Sequence, residues 1–207
     1  MNNSTNAGKI LPHIPETSCV YCQQLMEVYR FDFKLRKTRI TKVGDFTAHR
    51  GRLPQITVNH DLDPFSFLIT FIHEVAHLDV HLQFGNRAES HGEEWKRSFQ
   101  KLLNPVMHDA VFPSDVLVPL RAHMINPKAS TFSDSKLTAA LRAYDNRQKN
   151  VVLLSQLAEG TIFVFQGRWF KKGKVRRTRA ECREMKSRRK YLVPIDAPVE
   201  HAQLSLL

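Results

Sequence analysis

From Phe65 to Leu82 the chain is almost continuously apolar, and the residues Phe65, Phe67, Leu68, Ile69, Phe71, Ile72, Val75, Ala76, Leu78, Val80 and Leu82 cover most of a helical circumference. Such a helix is buried on most sides. Asp63 followed by Pro64 reads as an N-cap with proline at the first helical position, and Gly85 is the residue type favoured just past a helix end, so the pattern predicts a helix over 64–84. Upstream, Phe31, Phe33 and Leu35 alternate with Asp32, Lys34 and Arg36, and Ile56 and Val58 alternate in the same way. That period of two predicts half-buried strands forming a small sheet beside the helix.

Downstream the pattern changes. Ser90 with Glu93 three residues on forms a capping box, predicting a second helix opened by His91 and running to about Leu103, before Pro105. Residues 126–150 are polar and proline-led, with a short helix expected from about Ser135 to Tyr144, capped by Ser133 or Asp134. Thr161 to Phe165 and Tyr191-Leu192-Val193 read as short strands, with Gly167 and Gly173 as turn signals, which implies a small antiparallel hairpin unit. The expected architecture is α+β: a main domain over 1–125, a connector over 126–150, a β-rich unit over 151–195 and a tail over 196–207.

The buried helix carries His73-Glu74-Val75-Ala76-His77. Two histidines four residues apart share one helix face and can reach one metal, while Glu74, about 100° further round, can take a proton from a metal-bound water without being a ligand. Buried His and Glu are costly unless something satisfies them, and a zinc ion would do so. This is metalloprotease geometry. A catalytic zinc site takes a third protein ligand and keeps its fourth position for water. Val80 and Gln83 stand where the extended metzincin pattern needs Gly and His. His81 lies about 12 Å along the helix from His73, too far to share one tetrahedral site, and is expected on the surface or behind the ligands. His91 is the better candidate, because the positive end of the second helix would disfavour its protonation; Glu89, Glu93 and Glu94 stay open as carboxylate alternatives.

The segments Ile56-Thr57-Val58-Asn59, Asp63-Pro64, Phe67 to Leu78 and Ser90-His91-Gly92-Glu93-Glu94-Trp95 together resemble a SprT-like domain. Thr41-Lys42-Val43-Gly44-Asp45-Phe46 and the stretch from Gly160 to Val193 are similar to bacterial SprT-like proteins. The resemblance spans about Phe31 to Arg189, with its specific motifs within 56–95. It implies a zincin-like metallopeptidase fold with one catalytic Zn2+ on His73, His77 and His91, and Glu74 as general base. The family includes Spartan, a DNA-dependent protease that degrades proteins crosslinked to DNA, whereas some descriptions link bacterial members to transcription elongation. Many SprT-like proteins also carry a four-cysteine zinc ribbon near the C-terminus; here that region has only Cys182, so no second zinc is expected.

Charge sharpens the picture of the C-terminal part. The chain carries a net +11, and between Gln166 and Lys190 twelve basic residues stand against two acidic ones, so this segment holds nearly all the excess. Arg168, Lys171, Lys172, Lys174, Arg176, Arg177, Arg179, Arg188, Arg189 and Lys190 are the candidate contacts to a nucleic-acid backbone, with Trp169, Phe170 or Tyr191 available to stack on unpaired bases. Phe163 and Phe165 are expected in the hairpin core. Gln55, Ile56, Thr57, Val58 and Asn59, preceded by Pro54, are the candidate edge strand for pairing with a substrate backbone.

Three cysteines argue against a disulfide framework. Cys19 and Cys22 lack a second pair and are expected on a helix packed against the core. No membrane-spanning run or secretory pattern is read, so a cytoplasmic protein is expected, nucleoid-associated if it binds DNA. The expected function is zinc-dependent hydrolysis of DNA-associated or DNA-crosslinked proteins, with DNA and DNA-bound proteins as partners and no membrane. Two other classes are a zinc-containing nucleic-acid-binding module with vestigial peptidase activity and a metal-dependent hydrolase acting on a bond other than the peptide.

Overall fold

Asp63 caps the central helix, α3 (Pro64–Phe84), with its Oδ1 accepting from the backbone N–H groups of Phe65 and Ser66 at 3.0 Å, and Gly85 ends it with a φ of 62°. Both ends thus fall where the caps predict them. The computed structural model describes residues 2–39, 42–129, 134–145 and 151–201, and the chain divides into two compact units, Met1–Asp145 and Asn146–Leu207. Thr41, Ser133, residues 146–150 of the expected connector and 202–207 of the expected tail lie outside the described residues. The class is mixed α+β, with six α-helices and two sheets among the described residues. No described helix is long and apolar enough to cross a membrane.

In the first unit, α1 (Asn2–Ile10) and α2 (Cys19–Val28) precede β1 (Asp32–Arg36), β2 (Gly44–Thr47) and β3 (Gln55–Asn59). After α3 come α4 (Glu93–Leu103), α5 (Ser114–His123) and α6 (Ser135–Arg142). α3 runs through the core that these elements share, and Phe67, Leu68, Phe71, Ile72, Val75 and Ala76 are fully buried. Phe33 meets both Phe67 and Phe71 edge-on, tying the sheet to the helix.

The sheet order is β1-β3-β2, with β1 parallel and β2 antiparallel to β3. This corrects the expected role of Gln55–Asn59. That strand is central, both of its backbone edges are already paired, and no substrate strand can add to it. The side chains of Thr57 and Asn59 are also engaged, accepting from the Arg39 guanidinium at 3.0 and 2.8 Å. Of the two outer edges, β1 is closed by α1. Asn6 imitates a neighbouring strand there, donating to Phe31 O at 2.8 Å and accepting from Phe33 N–H at 3.2 Å, and Lys9 donates to Phe33 O. β2 pairs only with β3 among the described residues, so its outer edge is the open one.

α6 begins at Ser135 with Asp134 as its cap, accepting from Lys136 and Leu137 N–H. Its Leu137 and Leu141 are buried in the first core, and Tyr144 donates to Asp115. The stretch to Asp145 therefore belongs to the first unit and is not a free connector, because its two leucines lie one turn apart and form an apolar stripe. Cys22 is buried in α2 and Cys19 half-buried; all three cysteines are free thiols.

The second unit is more than a hairpin. β4 (Val151–Leu153), β5 (Ile162–Phe165), β6 (Arg168–Arg176), β7 (Arg179–Glu184), β8 (Lys190–Pro194) and β9 (Pro198–His201) form one antiparallel sheet in the order β4-β9-β5-β6-β7-β8. Residues 198–201 of the expected tail are an interior strand, anchored by buried Val199. Gln166 and Gly167, with φ of 52° and 72°, make the tight β5–β6 turn. Gly173 is not a turn. It lies within β6 where the register slips between Lys172 and Val175, and a Cβ there would come within 2.6 Å of Glu181 O. Phe163, Phe170, Cys182, Val193 and Val199 fill the core on one face of the sheet, and Phe165 packs against them.

Candidate metal centre

His73 and His77 project from one face of α3, and His91 reaches them from the turn before α4. Their three Nε2 atoms form a nearly equilateral triangle with sides of 3.2 Å (His73–His77), 3.0 Å (His77–His91) and 3.2 Å (His73–His91). Nitrogens bound tetrahedrally to one ion at about 2.0–2.1 Å lie roughly 3.3 Å apart, so the triangle has the size of three ligands around a single metal. Hydrogen bonds alone cannot satisfy it. Each Nε2 is either a donor or an acceptor, and three atoms with two roles leave at least one pair alike. A cation accepting all three lone pairs removes that conflict. Among the described residues this is the one group of metal-ligand type that converges so closely.

Burial keeps the cluster in the form a metal requires. It drives the His73 imidazole well below its usual titration range and His77 to about 4, with the neighbouring imidazoles adding to the effect. His91 is also pushed down, by burial. Neutral imidazoles present free lone pairs at ordinary pH.

His91 reaches the site differently from the predicted capping box. α4 starts at Glu93 with Gly92 as its N-cap and no side-chain cap, and Gly92 N–H donates to Glu89 O at 3.0 Å, closing a tight turn. His91 lies within that turn at φ 61°, a left-handed conformation costly for a residue with a Cβ and sustained where surrounding structure imposes it. The Ser90 hydroxyl is 3.2 Å from His91 Nδ1 instead of capping the helix. Glu89, Glu93 and Glu94 are exposed and stay out of the cluster, Glu93 pairing with Lys96 at 2.9 Å.

Trp95, the aromatic of the His-Gly-x-x-Trp segment, is fully buried behind the triad. Its ring lies 4.6, 5.5 and 4.7 Å from those of His73, His77 and His91, and Phe99 stacks on it at 5.1 Å. Its Nε1–H has no acceptor among the described residues, and packing fixes the indole. On the other side Phe46 of β2 lies parallel to His77 at 6.5 Å and against His81 at 5.6 Å. His81 thus supports Phe46 and is not a member of the cluster.

Glu74 points its carboxyl at β2. A Cβ on Gly44 would fall 2.3 Å from Glu74 Oε1 and 2.6 Å from Thr70 Cγ2, so the glycine is what allows the carboxyl to approach the strand. Burial raises its pKa to about 8, helped by Asp45, while Arg39, Lys42 and a hydrogen bond from Phe46 N–H oppose the rise. The triad, the adjacent carboxyl and the open β2 edge therefore lie together. Gly44, Phe46 and Trp95 escape any reading by periodicity, because their roles are tertiary contacts.

The basic candidates divide. Lys172 is buried, with Nζ donating to Leu154 O at 2.7 Å and Leu157 O at 2.5 Å, which removes it from any surface. Arg168 lies over the Phe170 and Tyr191 rings at 5.3 and 5.0 Å and pairs with Glu184 at 3.5 Å, and Arg176 and Lys190 share Glu181. Lys171, Lys174, Arg177, Arg179, Arg188 and Arg189 are exposed. Of the three candidate stacking rings, Phe170 is buried, Tyr191 packs edge-on against it, and Trp169 is 45% exposed. Comparison with family models, curated proteins and solved structures finds no match to this chain.

Proposed function

We infer that this chain is a zinc-dependent peptidase of zincin-like, SprT-like type that cleaves proteins associated with or crosslinked to DNA. The observation that carries the reading is the convergence of three imidazole nitrogens 3.0–3.2 Å apart, two of them on a helix where Glu74 directly follows His73 and the third from the turn before α4. His73, His77 and His91 would hold the ion. Zinc bound there supplies Lewis acidity, acidifying a water molecule and polarising a carbonyl. Glu74 takes a proton from the attacking water and passes it to the departing amine, a shuttle that favours a carboxyl poised near neutrality.

Substrate orientation follows from the sheet. With β1 closed by Asn6 and Lys9 and β3 paired on both sides, β2 is the strand of this sheet whose outer edge pairs with no other strand among the described residues, and it touches Glu74 and His77. An extended peptide pairing with Gly44–Thr47 would run its scissile bond past the triad. The basic second unit supports DNA as the partner that brings substrate to the site.

The deciding experiment is cleavage of a DNA-binding protein, with and without DNA, by wild type and Glu74→Gln samples of equal measured zinc content. Glu74-dependent cleavage stimulated by DNA is the expected result. Zinc-loaded wild type that cuts nothing, yet binds DNA, would replace the reading with a nucleic-acid-binding module.

A further inference from the structure

The C-terminal ends of α4 and α5 border a cleft of about 490 Å³. Lys101 and Asn104 line it from α4 and the turn that follows, Arg121, Met124 and Ile125 from the end of α5, and Met107 completes the wall. The backbone at its rim is held in place. Gln100 donates through Nε2 to Met124 O at 2.7 Å and to Ile125 O at 3.4 Å, while the N–H groups of Met124 and Ile125 bond back to Leu120 O and Ala122 O. Ile125 is therefore presented on a fixed helix end rather than on a frayed one.

Two sets of groups meet here without a use inside the fold. Val118 and Ile125 lie two turns apart on one stripe of the helix, with Arg121 between them, and are 68% and 82% exposed. Val116, Leu117 and Leu120 supply the buried face that holds α5 to the core, so the outer stripe is surplus to packing. Lys101 and Arg121 are exposed as well, and neither side chain makes an ion pair or a hydrogen bond among the described residues. Single exposed apolar residues are ordinary on a protein surface, whereas two on one stripe, beside a cleft rimmed by uncompensated cations, have the make-up of a binding face.

We propose that this face is a docking site for an acidic amphipathic helix of a partner protein, with the apolar side of that helix on Val118, Ile125 and the cleft methionines and its carboxylates on Lys101 and Arg121. From Val118 to Ile125 the stripe runs about 10 Å, the two turns over which a groove-bound helix sets its i, i+3/i+4 and i+7 anchors. Met107 and Met124 suit the floor of such a groove, because an unbranched thioether side chain adapts to the anchor it meets. Charge decides the occupant. A second copy meeting this face across a two-fold axis would set Lys101 and Arg121 against their own counterparts. A nucleic acid would answer the cations and leave Val118 and Ile125 in water. An acidic helix with one apolar side answers both sets at once. None of these residues belongs to the metal centre, so the inference stands apart from the peptidase reading.

The test is binding of the full chain to an acetylated, amidated peptide of two Glu-Leu-Ala-Glu-Leu-Leu-Glu repeats, measured by calorimetry at about 0.15 M salt, where long-range attraction is screened beyond about 8 Å. Hydrogen exchange locates the contact. The peptide should bind and slow exchange over residues 100–107 and 118–125. Ile125→Asp should weaken binding about tenfold, the loss expected of a central apolar anchor, with an unchanged melting temperature because the position is exposed. Lys101→Glu/Arg121→Glu should weaken it at least about tenfold and turn the preference towards the same peptide with Lys in place of Glu. The proposal is overturned if the peptide does not bind, if a scrambled peptide of the same composition binds as tightly, if protection falls on the basic sheet and not on α4 and α5, or if Ile125→Asp binds like wild type. A concentration-dependent dimer of the free chain that Ile125→Asp dissolves would assign the face to a second copy and overturn it too. Neither zinc nor turnover enters these readouts, so this proposal and the peptidase reading fail separately.

Discussion

With no metal bound, burial favours the protonated form of Glu74, and this has a measurable consequence in chelator-treated protein. A carboxyl raised from its usual range to about 8 contributes stability that is fully present at low pH and is lost as pH rises towards 8. The buried imidazoles act in the opposite sense. Their pKa values are lowered, so their contribution is lost as pH falls through the range in which unfolded imidazoles take up protons. Wild type and Glu74→Gln share that imidazole contribution, so it cancels in the difference between them. Between pH 6.5 and 8 metal-free wild type should lose about 2 kcal/mol relative to Glu74→Gln by urea denaturation. Equal losses in the two proteins would show that Glu74 is not the titrating group. The neighbouring glycine gives a second test at this scale. Gly44→Ala puts a methyl group 2.3 Å from Glu74 Oε1, so the carboxyl or the strand must move. Turnover should fall by about a hundredfold while zinc content stays near one ion per chain, since misplacing a reacting group by about 1 Å is enough for such a loss. Full activity in that variant would mean that the Glu74 position seen here is not the working one.

At the level of elements, what could be read from the sequence was what is local. The caps of α3, its all-round apolarity and the His-x-x-x-His spacing are properties of contiguous residues, and each is found where it was expected. β2 carried no such signal, because all four of its residues are half-buried and no alternation marks it. The order β1-β3-β2 then decides which strand is an edge, and strand order is invisible to a period of two. The same limit explains Lys172. It follows buried Phe170 by two residues and so shares the inward face, but a run of basic residues conceals the alternation. Its ammonium group satisfies the carbonyls of Leu154 and Leu157 inside the second unit. Lys172→Met should therefore cost about 1–3 kcal/mol in stability through the two carbonyls left unpaired, measured by urea denaturation. Affinity for DNA extrapolated to the folded state should not change. A stable Lys172→Met protein with weakened binding would return Lys172 to the surface candidates.

For the molecule as a whole, the chemistry divides along the same line as the two compact units. The His triad lies in α3 and in the turn before α4, all within Met1–Asp145, while most of the excess positive charge lies within Asn146–Leu207. Metal bound to the native triad stabilises what it binds by mass action, about 2.7 kcal/mol at a free concentration one hundred times the dissociation constant. In hydrogen exchange, added zinc should slow the amides of α3 and of residues 89–103, because opening those segments releases the ion. Exchange in β5 to β8 should stay the same with and without zinc, since no residue of that sheet belongs to the triad. DNA should produce the reverse pattern, protecting β6 to β8 and leaving α3 unaffected. Zinc-dependent protection of the basic sheet would mean that the metal and nucleic-acid sites are thermodynamically coupled. The coupling would then have to be reciprocal, with DNA altering zinc affinity by the same factor.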